Sequence, residues 1–339
     1  MSKTILFKPM ADSAPDRVSI LLLPSFSMMP FSGMIETMRL ANMLSKKNLY
    51  QWELISLDGN CVTASSKLKI ECQYSIDEVP EPTNIVVCAG LNAHEYRDQA
   101  VFSWLRKWAS CGAHIGAVCT GALILARAGL LKDYSCTLHW SAIDSFIEEF
   151  SDHQIQSGLF QVDRNRFTCA GGIASIDMFL YEITVHHGNN LGMQISDQLM
   201  HEQVRKGHDN QRIPLRTRLR ISHPKLISAI EEMEKNQEFV LSRDEIAKRV
   251  GVSRRQLERL FLRYLNISPA RYYLKLRLSR ARTLLAQTTM PVTEVAFACG
   301  FTSASHFSKC YRDMYNHAPR IGRRIDDGLI VFNDAKKIC

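Results

Sequence analysis

One pattern occurs twice in the carboxyl-terminal third of this 339-residue chain: two short helical stretches separated by a glycine. Asp244-Glu-Ile-Ala247 precedes Gly251, and Thr293-Glu-Val-Ala296 precedes Gly300 at the same spacing. In each copy the apolar residues recur at helical intervals, and the glycine permits a sharp turn into the second stretch. The repeat therefore predicts two helix-turn-helix units in an all-helical region.

The first copy carries start signals on both of its helices. Ser242 is a preferred N-cap residue, and Glu245 three residues later completes a capping box. Ser253 caps the second helix. The residues expected to face inward are Ile246, Ala247, Val250, Leu257, Leu260 and Phe261. The first copy therefore predicts two short amphipathic helices around a small core.

The second helix of the first copy has a strongly charged outward face. Long polar side chains at the start of such a helix can reach base edges in a DNA major groove. We predict DNA contacts from Arg254, Arg255, Glu258 and Arg259. Two adjacent arginines favour a larger contribution to phosphate affinity than to base recognition.

A long helix from Pro269 to Gln287 is predicted between the two copies. Its apolar residues can hold both units at a fixed separation, so that they meet major-groove segments ~34 Å apart on one side of a duplex. A single chain would then contact two neighbouring segments of DNA. The core residues predicted in the second copy are Phe297, Phe301 and Phe307.

Charge is divided unevenly along the chain. Residues 1–204 hold 15 Lys and Arg against 21 Asp and Glu, and residues 205–339 hold 27 against 13, which gives balances of −6 and +14. The basic part favours a polyanionic partner, whereas the acidic part does not. A solvated basic face would give the same balance, so charge alone leaves both interpretations open.

Short apolar runs alternate with helical patterns through the first half. The runs are Val18 to Pro24, Trp52 to Leu57, Asn84 to Ala89 and His114 to Cys119, with a later one from Phe167 to Gly172. The helical patterns are Met34 to Leu44, Asp98 to Ser110 and Ser175 to His187. Nearly continuous apolar strands between helices predict an α/β fold with a flavodoxin-like, doubly wound sheet.

The stretch from Gly207 to Ser222 loses apolar periodicity and gains charge, which is typical of a linker. Pro224 follows as the first residue of a predicted helix. We therefore predict an α/β domain over 1–204, a linker over 205–223, an all-α domain with two helix-turn-helix motifs over 224–325, and a tail over 326–339.

Composition excludes several classes of protein. A chain with 46% hydrophobic and 22% charged residues is globular rather than disordered, and no apolar run approaches the roughly 18 residues of a membrane span. The amino terminus lacks the apolar region of a secretory signal, so we expect a cytoplasmic protein. The ten cysteines form no C-x-x-C pair, so neither a metal nor a cofactor is predicted.

The region from about Leu226 to Arg324 resembles the AraC/XylS-type transcriptional regulators, most specifically in EVAFACGFTSASHFSKCYRDMYNHAP. The resemblance implies a promoter DNA partner and transcriptional activation, with RNA polymerase as a further partner. It assigns Arg255, Glu258 and Arg259 to the first recognition helix, and Ser305, His306 and Lys309 to the second. We add Arg312 as a phosphate contact.

Cys119 is the one cysteine with a chemical context. The segment Ala117-Val-Cys119-Thr-Gly121 places it between a predicted strand and a helix, whose dipole is expected to favour the thiolate. His139 follows twenty residues later, at the end of a predicted strand. A cysteine and a histidine in one cleft can support nucleophilic catalysis.

Residues from about Arg17 to Gly188 resemble the PfpI branch of the class I glutamine amidotransferase-like superfamily. The whole chain resembles the AraC-type regulators with such a domain, a subgroup that includes sensors of arginine, carnitine and glycine betaine. Catalytic members place a carboxylate against the cysteine, but Trp140 follows His139 here and residues 26–32 contain no acid. The resemblance implies a non-catalytic effector pocket, with the candidates Cys119, Thr120, His139, Trp140 and Glu36.

These patterns predict a homodimeric transcription factor that responds to a small amino-acid-like or quaternary-amine metabolite. The Trp140 ring offers a face to a cationic ligand, although it could equally belong to the core. Glu36 could face the pocket or a dimer partner. Two alternatives stay open: a cysteine hydrolase or deglycase tethered to DNA, and a redox regulator that uses Cys119.

Overall fold

The computed structural model describes residues 6–8 and 14–323 and divides the chain into two units between Gln211 and Arg212. The predicted tail at 326–339 lies outside the described residues. Each unit corresponds to one of the two fold classes that the sequence predicts.

The first unit is an α/β domain in which short strands alternate with helices. Its strands are β1 (Asp16–Leu22), β2 (Tyr50–Ser56), β3 (Val62–Thr63), β4 (Lys69–Ile70), β5 (Tyr74–Ser75), β6 (Asn84–Cys88), β7 (His114–Val118), β8 (Ser135–Cys136), β9 (Gln154–Ile155), β10 (Phe160–Asp163) and β11 (Arg166–Cys169). Its helices are α1 (Met28–Ser45), α2 (Gln99–Ser110), α3 (Gly121–Arg127), α4 (Ile143–Glu149), α5 (Ala174–His187) and α6 (Asn189–Gln198). Short 3₁₀ helices span Leu91–Glu95 and Trp140–Ala142.

Seven strands form one sheet in the order β10-β11-β7-β6-β1-β2-β5, with only the β10–β11 pair antiparallel. Ile20 of β1 lies opposite Leu54 on one side and Val86 on the other. Alternate residues of the central strands enter two separate apolar clusters, one with α1, α5 and α6 and one with α2, α3 and α4. Helices on both faces confirm the predicted doubly wound sheet.

The predicted start of α1 at Met34 is wrong, because the helix begins six residues earlier at Met28. Pro30 lies in the first turn, where a missing backbone N–H costs no helical hydrogen bond. Phe31 in the next position is buried and contacts Phe26 edge to face. Packing therefore extends the helix beyond the run of helical periodicity.

A short amino-terminal segment packs into the first unit. Leu6 and Phe7 are fully buried, and their backbone N–H groups donate to the Glu182 carboxylate at 2.8 and 3.2 Å. The Phe7 ring lies edge-on to the rings of Tyr50, Phe167 and Phe179. A buried acid on α5 is therefore satisfied by backbone groups about 175 residues away in sequence, which apolar periodicity does not indicate.

The second unit is helical throughout its described residues. Its helices are α7 (Leu215–Leu219), α8 (Pro224–Lys235), α9 (Arg243–Val250), α10 (Arg254–Leu265), α11 (Pro269–Gln287), α12 (Val292–Ala298), α13 (Ala304–Tyr315) and α14 (Pro319–Gly322). The amino-terminal half of α11 buries Tyr272 and Tyr273 in a core with α8, α9 and α10. Its carboxyl-terminal half buries Leu278 and Leu285 in a second core with α12 and α13. The long helix therefore belongs to both helix-turn-helix units, as predicted.

The predicted linker at 205–223 is not a free segment. Arg205 belongs to the first unit because its backbone and guanidinium donate to the buried Asp177 carboxylate at 2.9 and 3.0 Å. Further along, α7 buries Leu215 in the core of the second unit, and Ile221 is buried there as well. Ion pairing and scattered apolar residues order this stretch although its sequence has no apolar period.

Candidate functional site

The first helix-turn-helix unit consists of α9 and α10, and both helices begin with hydrogen-bonded caps. The Ser242 hydroxyl accepts from the Glu245 N–H at 3.2 Å, and the Glu245 carboxylate accepts from the Ser242 N–H at 2.7 Å. Ser253 and Gln256 form a second capping box. Gly251 ends α9 with a φ of +69°, which favours glycine. These caps confirm the predicted turn and fix the start of α10.

The four predicted contact residues of α10 differ in their surroundings. Arg254 lies 3.6 Å from Glu258, which also pairs with Arg243 at 3.2 Å. Across the described residues 6–8 and 14–323, no side chain pairs with Arg255 or Arg259, and both are exposed. These two guanidiniums can therefore bind a phosphate or a base edge without breaking an ion pair.

The second helix-turn-helix unit consists of α12 and α13. The Ser303 hydroxyl caps α13 by accepting from the His306 N–H at 3.4 Å. The predicted contact residues of α13 are all exposed, namely Ser305, His306, Lys309 and Arg312. The His306 ring lies 5.8 Å from the Phe301 ring, and its Nε2 lies 3.4 Å from Cys310 Sγ. His306 is therefore an exposed group with a restrained orientation.

The prediction of Phe297 as a core residue is wrong, because its side chain is 56% exposed. The buried residues of the seven-residue helix α12 are Val295, Ala296 and Ala298. Helical spacing turns Phe297 away from the side that they bury. The other predicted core residues face inward; Leu260 is half-buried against the first core, and the buried ones are Leu257, Phe301 and Phe307.

Cys119 occupies the sharp junction between β7 and α3, as predicted. Its φ of +60° is unusual for a residue with a side chain. The Cys119 carbonyl accepts from the His139 N–H at 3.1 Å, and a Cβ built on Gly171 would lie 2.9 Å from the Cys119 Cα. Neighbouring segments therefore pack tightly enough to hold a strained backbone in place.

The expectation of a thiolate at Cys119 is not met. Burial raises the pKa of the Cys119 thiol to about 11, although hydrogen bonds from Thr120 act in the opposite direction. Thr120 is itself buried, and its hydroxyl donates to the Gly90 carbonyl. Desolvation outweighs these hydrogen bonds, so the thiol is protonated near neutral pH.

The His139 ring contacts a hydroxyl. Its Nδ1 lies 2.8 Å from the Ser141 Oγ. In a catalytic triad, this nitrogen forms a hydrogen bond with a carboxylate. Burial lowers the pKa of the imidazole, so the ring is neutral near pH 7. The half-buried Trp140 ring lies 5.4 Å from the His139 ring. The four candidates at residues 119, 120, 139 and 140 thus belong to two segments that meet at the junction.

Glu36, the fifth candidate for the effector pocket, forms an ion pair with Arg39 at 2.7 Å on the surface of α1. Its side chain is 47% exposed. This contact ties it to its own helix, and its place in an effector pocket stays a prediction.

Two residues near the junction lack a recognisable sequence signal. Ser141 holds the His139 ring, and Gln211 donates through Nε2 to the Leu138 carbonyl at 3.0 Å and the Gly158 carbonyl at 2.8 Å. Gln211 lies within the stretch of linker-like composition, so only the folded chain shows that it lies beside the segment with His139.

Comparisons with known proteins agree with both halves of this description. Residues 17–184 match the DJ-1/PfpI family, and residues 246–324 match a helix-turn-helix domain family. The HTH-type transcriptional regulator GbdR of Pseudomonas aeruginosa is 43% identical over 93% of this chain and 86% of its own length. The regulator CdhR of the same species is 40% identical over 90% of each chain.

The chain belongs to the AraC-type helix-turn-helix regulators that carry a DJ-1/PfpI domain. This regulator therefore binds DNA and controls transcription. A crystal structure of an AraC family transcriptional regulator from Pseudomonas putida is 28% identical, with a TM-score of 0.51, and covers 55% of this chain and all of its own.

No helix in residues 6–8 and 14–323 of the regulator is long and apolar enough to cross a membrane. Within the same residues, no cluster of three or more His, Cys, Asp and Glu could hold a metal ion. A surface cavity of about 360 Å³ lies near Leu49, Lys47 and His187, where β2 begins, whereas Cys119 follows the end of β7.

Proposed function

We propose that the DJ-1/PfpI domain of this regulator is a non-catalytic sensor for a small amino-acid-like or quaternary-amine metabolite. Binding of this effector activates transcription in the cytoplasm, through a homodimer that contacts RNA polymerase at the promoter. The effector would bind at Cys119, Thr120, His139 and Trp140, with the Trp140 ring offering a face to a cation.

The state of Cys119 is the single observation that carries the non-catalytic assignment. Burial raises the pKa of its thiol to about 11, so little thiolate is present near neutral pH. The His139 Nδ1 contacts the Ser141 hydroxyl at 2.8 Å, and burial lowers the pKa of the imidazole. The thiol is protonated, and the histidine Nδ1 contacts a hydroxyl in place of the carboxylate that a catalytic triad supplies, which supports a non-catalytic role.

The route from the sensor to the DNA-binding unit is proposed to run through residues 205–211. Arg205 binds the buried Asp177, and Gln211 binds Leu138 next to His139. An effector changes function only if it binds one arrangement of these contacts more tightly than another. Arg212 follows directly in sequence as the first residue of the second unit.

For DNA contacts, we propose Arg255 and Arg259 as the main electrostatic contacts of α10, with Arg254 and Glu258 as a paired group beside them. On α13, Ser305 and His306 lie near the amino terminus and are proposed to reach base edges. Lys309 and Arg312 lie one and two turns further along the helix and are proposed to bind phosphates.

Thermal unfolding of the full chain with arginine, carnitine or glycine betaine tests the sensor assignment. A ligand at 100 times its Kd should stabilise the protein by about 2.7 kcal/mol. We expect Cys119→Ser to keep the shift and Trp140→Ala to reduce it. Loss of both the shift and effector-dependent transcription in Cys119→Ser would favour an enzymatic thiol, and a change in DNA affinity with peroxide alone would favour a redox regulator.

A further inference from the structure

Arg277, near the middle of α11, contacts the turn of the second helix-turn-helix unit. Its Nη1 donates to the Gly300 carbonyl at 3.0 Å, and its guanidinium lies 4.5 Å from the centre of the Phe301 ring. Arg280, one turn later, donates to the Ala298 carbonyl at 2.7 Å. Both arginines therefore donate hydrogen bonds to carbonyl groups at or just after the end of α12.

The same guanidinium reaches toward the first helix-turn-helix unit through Tyr273. The Arg277 Cζ lies 5.8 Å from the centre of the Tyr273 ring. The Tyr273 hydroxyl donates to the Asn236 carbonyl and accepts from the Leu241 N–H at 3.4 Å. Asn236 and Leu241 bracket the loop between α8 and α9, which leads into the first helix-turn-helix unit.

That loop also packs directly against the turn of the second helix-turn-helix unit. A Cβ built on Gly300 would lie 2.7 Å from the carbonyl oxygens of Gln237 and Glu238 and 2.4 Å from a methyl group of Val240. Gly300 has a φ of +71° and also lies close to the backbone of the loop between α8 and α9. The two helix-turn-helix units meet at a dense contact beside Arg277, in addition to sharing α11.

We propose that Arg277 is a positioning residue for DNA recognition: with Tyr273, it fixes the separation and relative rotation of α10 and α13. A helix shared by two small cores still allows each unit to tilt about its own half. The Arg277 contacts restrict this tilt because one planar guanidinium is held by a carbonyl and two rings. The spacing of DNA segments that the chain accepts therefore depends on a residue that need not touch DNA.

Spacing selectivity tests this role. The probe is a duplex of about 30 base pairs, long enough for two segments one turn apart, which the wild-type chain selects from a random-sequence pool. One base pair inserted between the two segments should lower wild-type affinity about tenfold, because it shifts and rotates one segment relative to the other. We expect Arg277→Ala to bind both duplexes within about threefold of each other, with lower affinity for the selected one.

Three variants separate positioning from general destabilisation. Arg277→Lys keeps the charge but loses the planar group, and it should relax the spacing preference partly. Tyr273→Phe removes one hydroxyl and should also relax the preference, so it tests the proposal if Arg277→Ala fails to fold. Leu285→Ala weakens the second core away from the Arg277 and Tyr273 contacts and should keep the tenfold penalty. The proposal is overturned if Arg277→Ala or Tyr273→Phe keeps the full wild-type penalty, or if Leu285→Ala loses it.

Discussion

The two helix-turn-helix units each turn at a glycine with a positive φ, but they differ in how their helices begin. In the first helix-turn-helix unit, Ser242 and Ser253 each form a complete capping box. In the second helix-turn-helix unit, α12 follows Pro291 with no side-chain cap, and Ser303 caps α13 with a single hydrogen bond. The first helix-turn-helix unit is therefore specified by local sequence, whereas the second depends more on contacts with α11 and the loop before α9.

The recognition helices differ in charge as well. The predicted contact residues of α10 are three arginines and one glutamate, and those of α13 are a serine and a histidine followed by Lys309 and Arg312. Clustered guanidiniums favour phosphate binding, and neutral polar groups favour base-edge hydrogen bonds. The proposed contacts would therefore divide phosphate affinity and base recognition between the two copies of the motif.

The largest effect is expected from the second core. Phe307→Ala should lower the free energy of unfolding of the second unit by about 3–5 kcal/mol, because a fully buried ring is lost. Phe297→Ala is the matched control and should cost less than about 0.5 kcal/mol. All four tryptophans lie in the first unit, so far-ultraviolet circular dichroism is the suitable measurement. Equal losses in the two variants would contradict the burial described for α12.

The two turn glycines provide the next comparison. Gly251→Ala should destabilise the second unit by about 1 kcal/mol, from the strain of a left-handed alanine. Gly300→Ala should cost about 3 kcal/mol, because its Cβ also meets two backbone carbonyls of the α8–α9 loop. Urea unfolding measures both. Similar values for the two variants would mean that the loop yields without cost.

Removal of single arginines from α10 should have an intermediate effect on binding. Arg255→Ala and Arg259→Ala should each weaken binding to a selected duplex by about 1–3 kcal/mol, with a shallower salt dependence where the lost contact is a phosphate. Arg254→Ala is the paired control and should cost less, since Arg254 is shared with Glu258. Fluorescence anisotropy at several salt concentrations decides, and unchanged affinity in both variants would remove these residues from the interface.

The smallest effects concern the caps. Ser242→Ala should cost about 1–2 kcal/mol and Ser303→Ala about 0.5–1 kcal/mol, because only the first belongs to a capping box. Hydrogen bonds from Ser242 lower the pKa of Glu245. This contribution to stability is present above the ordinary pKa of glutamate and is lost as pH falls through the lowered value. Thermal unfolding at neutral and acidic pH should show the Ser242→Ala difference shrinking in acid.

Local signals in the sequence predicted most of the elements that position the sites. Apolar runs placed the four central strands within two residues of their observed starts, and the cap residues placed α9 and α10. The missed features depend on distant partners. Nothing near Phe297 in sequence shows which stripe of α12 is buried. Only the folded environment of Cys119 shows that burial raises the pKa of its thiol.

The contacts of Asp177 decide where this regulator can be cut. The carboxylate is fully buried and binds His201 at 2.8 Å as well as the Arg205 guanidinium. A fragment of the first unit that stops at residue 204 would keep this acid and lose the Arg205 guanidinium, which removes the arginine counterion from a carboxylate in the interior. A fragment that extends through Gln211 retains the contacts of Arg205 with Asp177 and of Gln211 with Leu138. It is therefore the better fragment for ligand titrations and crystallisation.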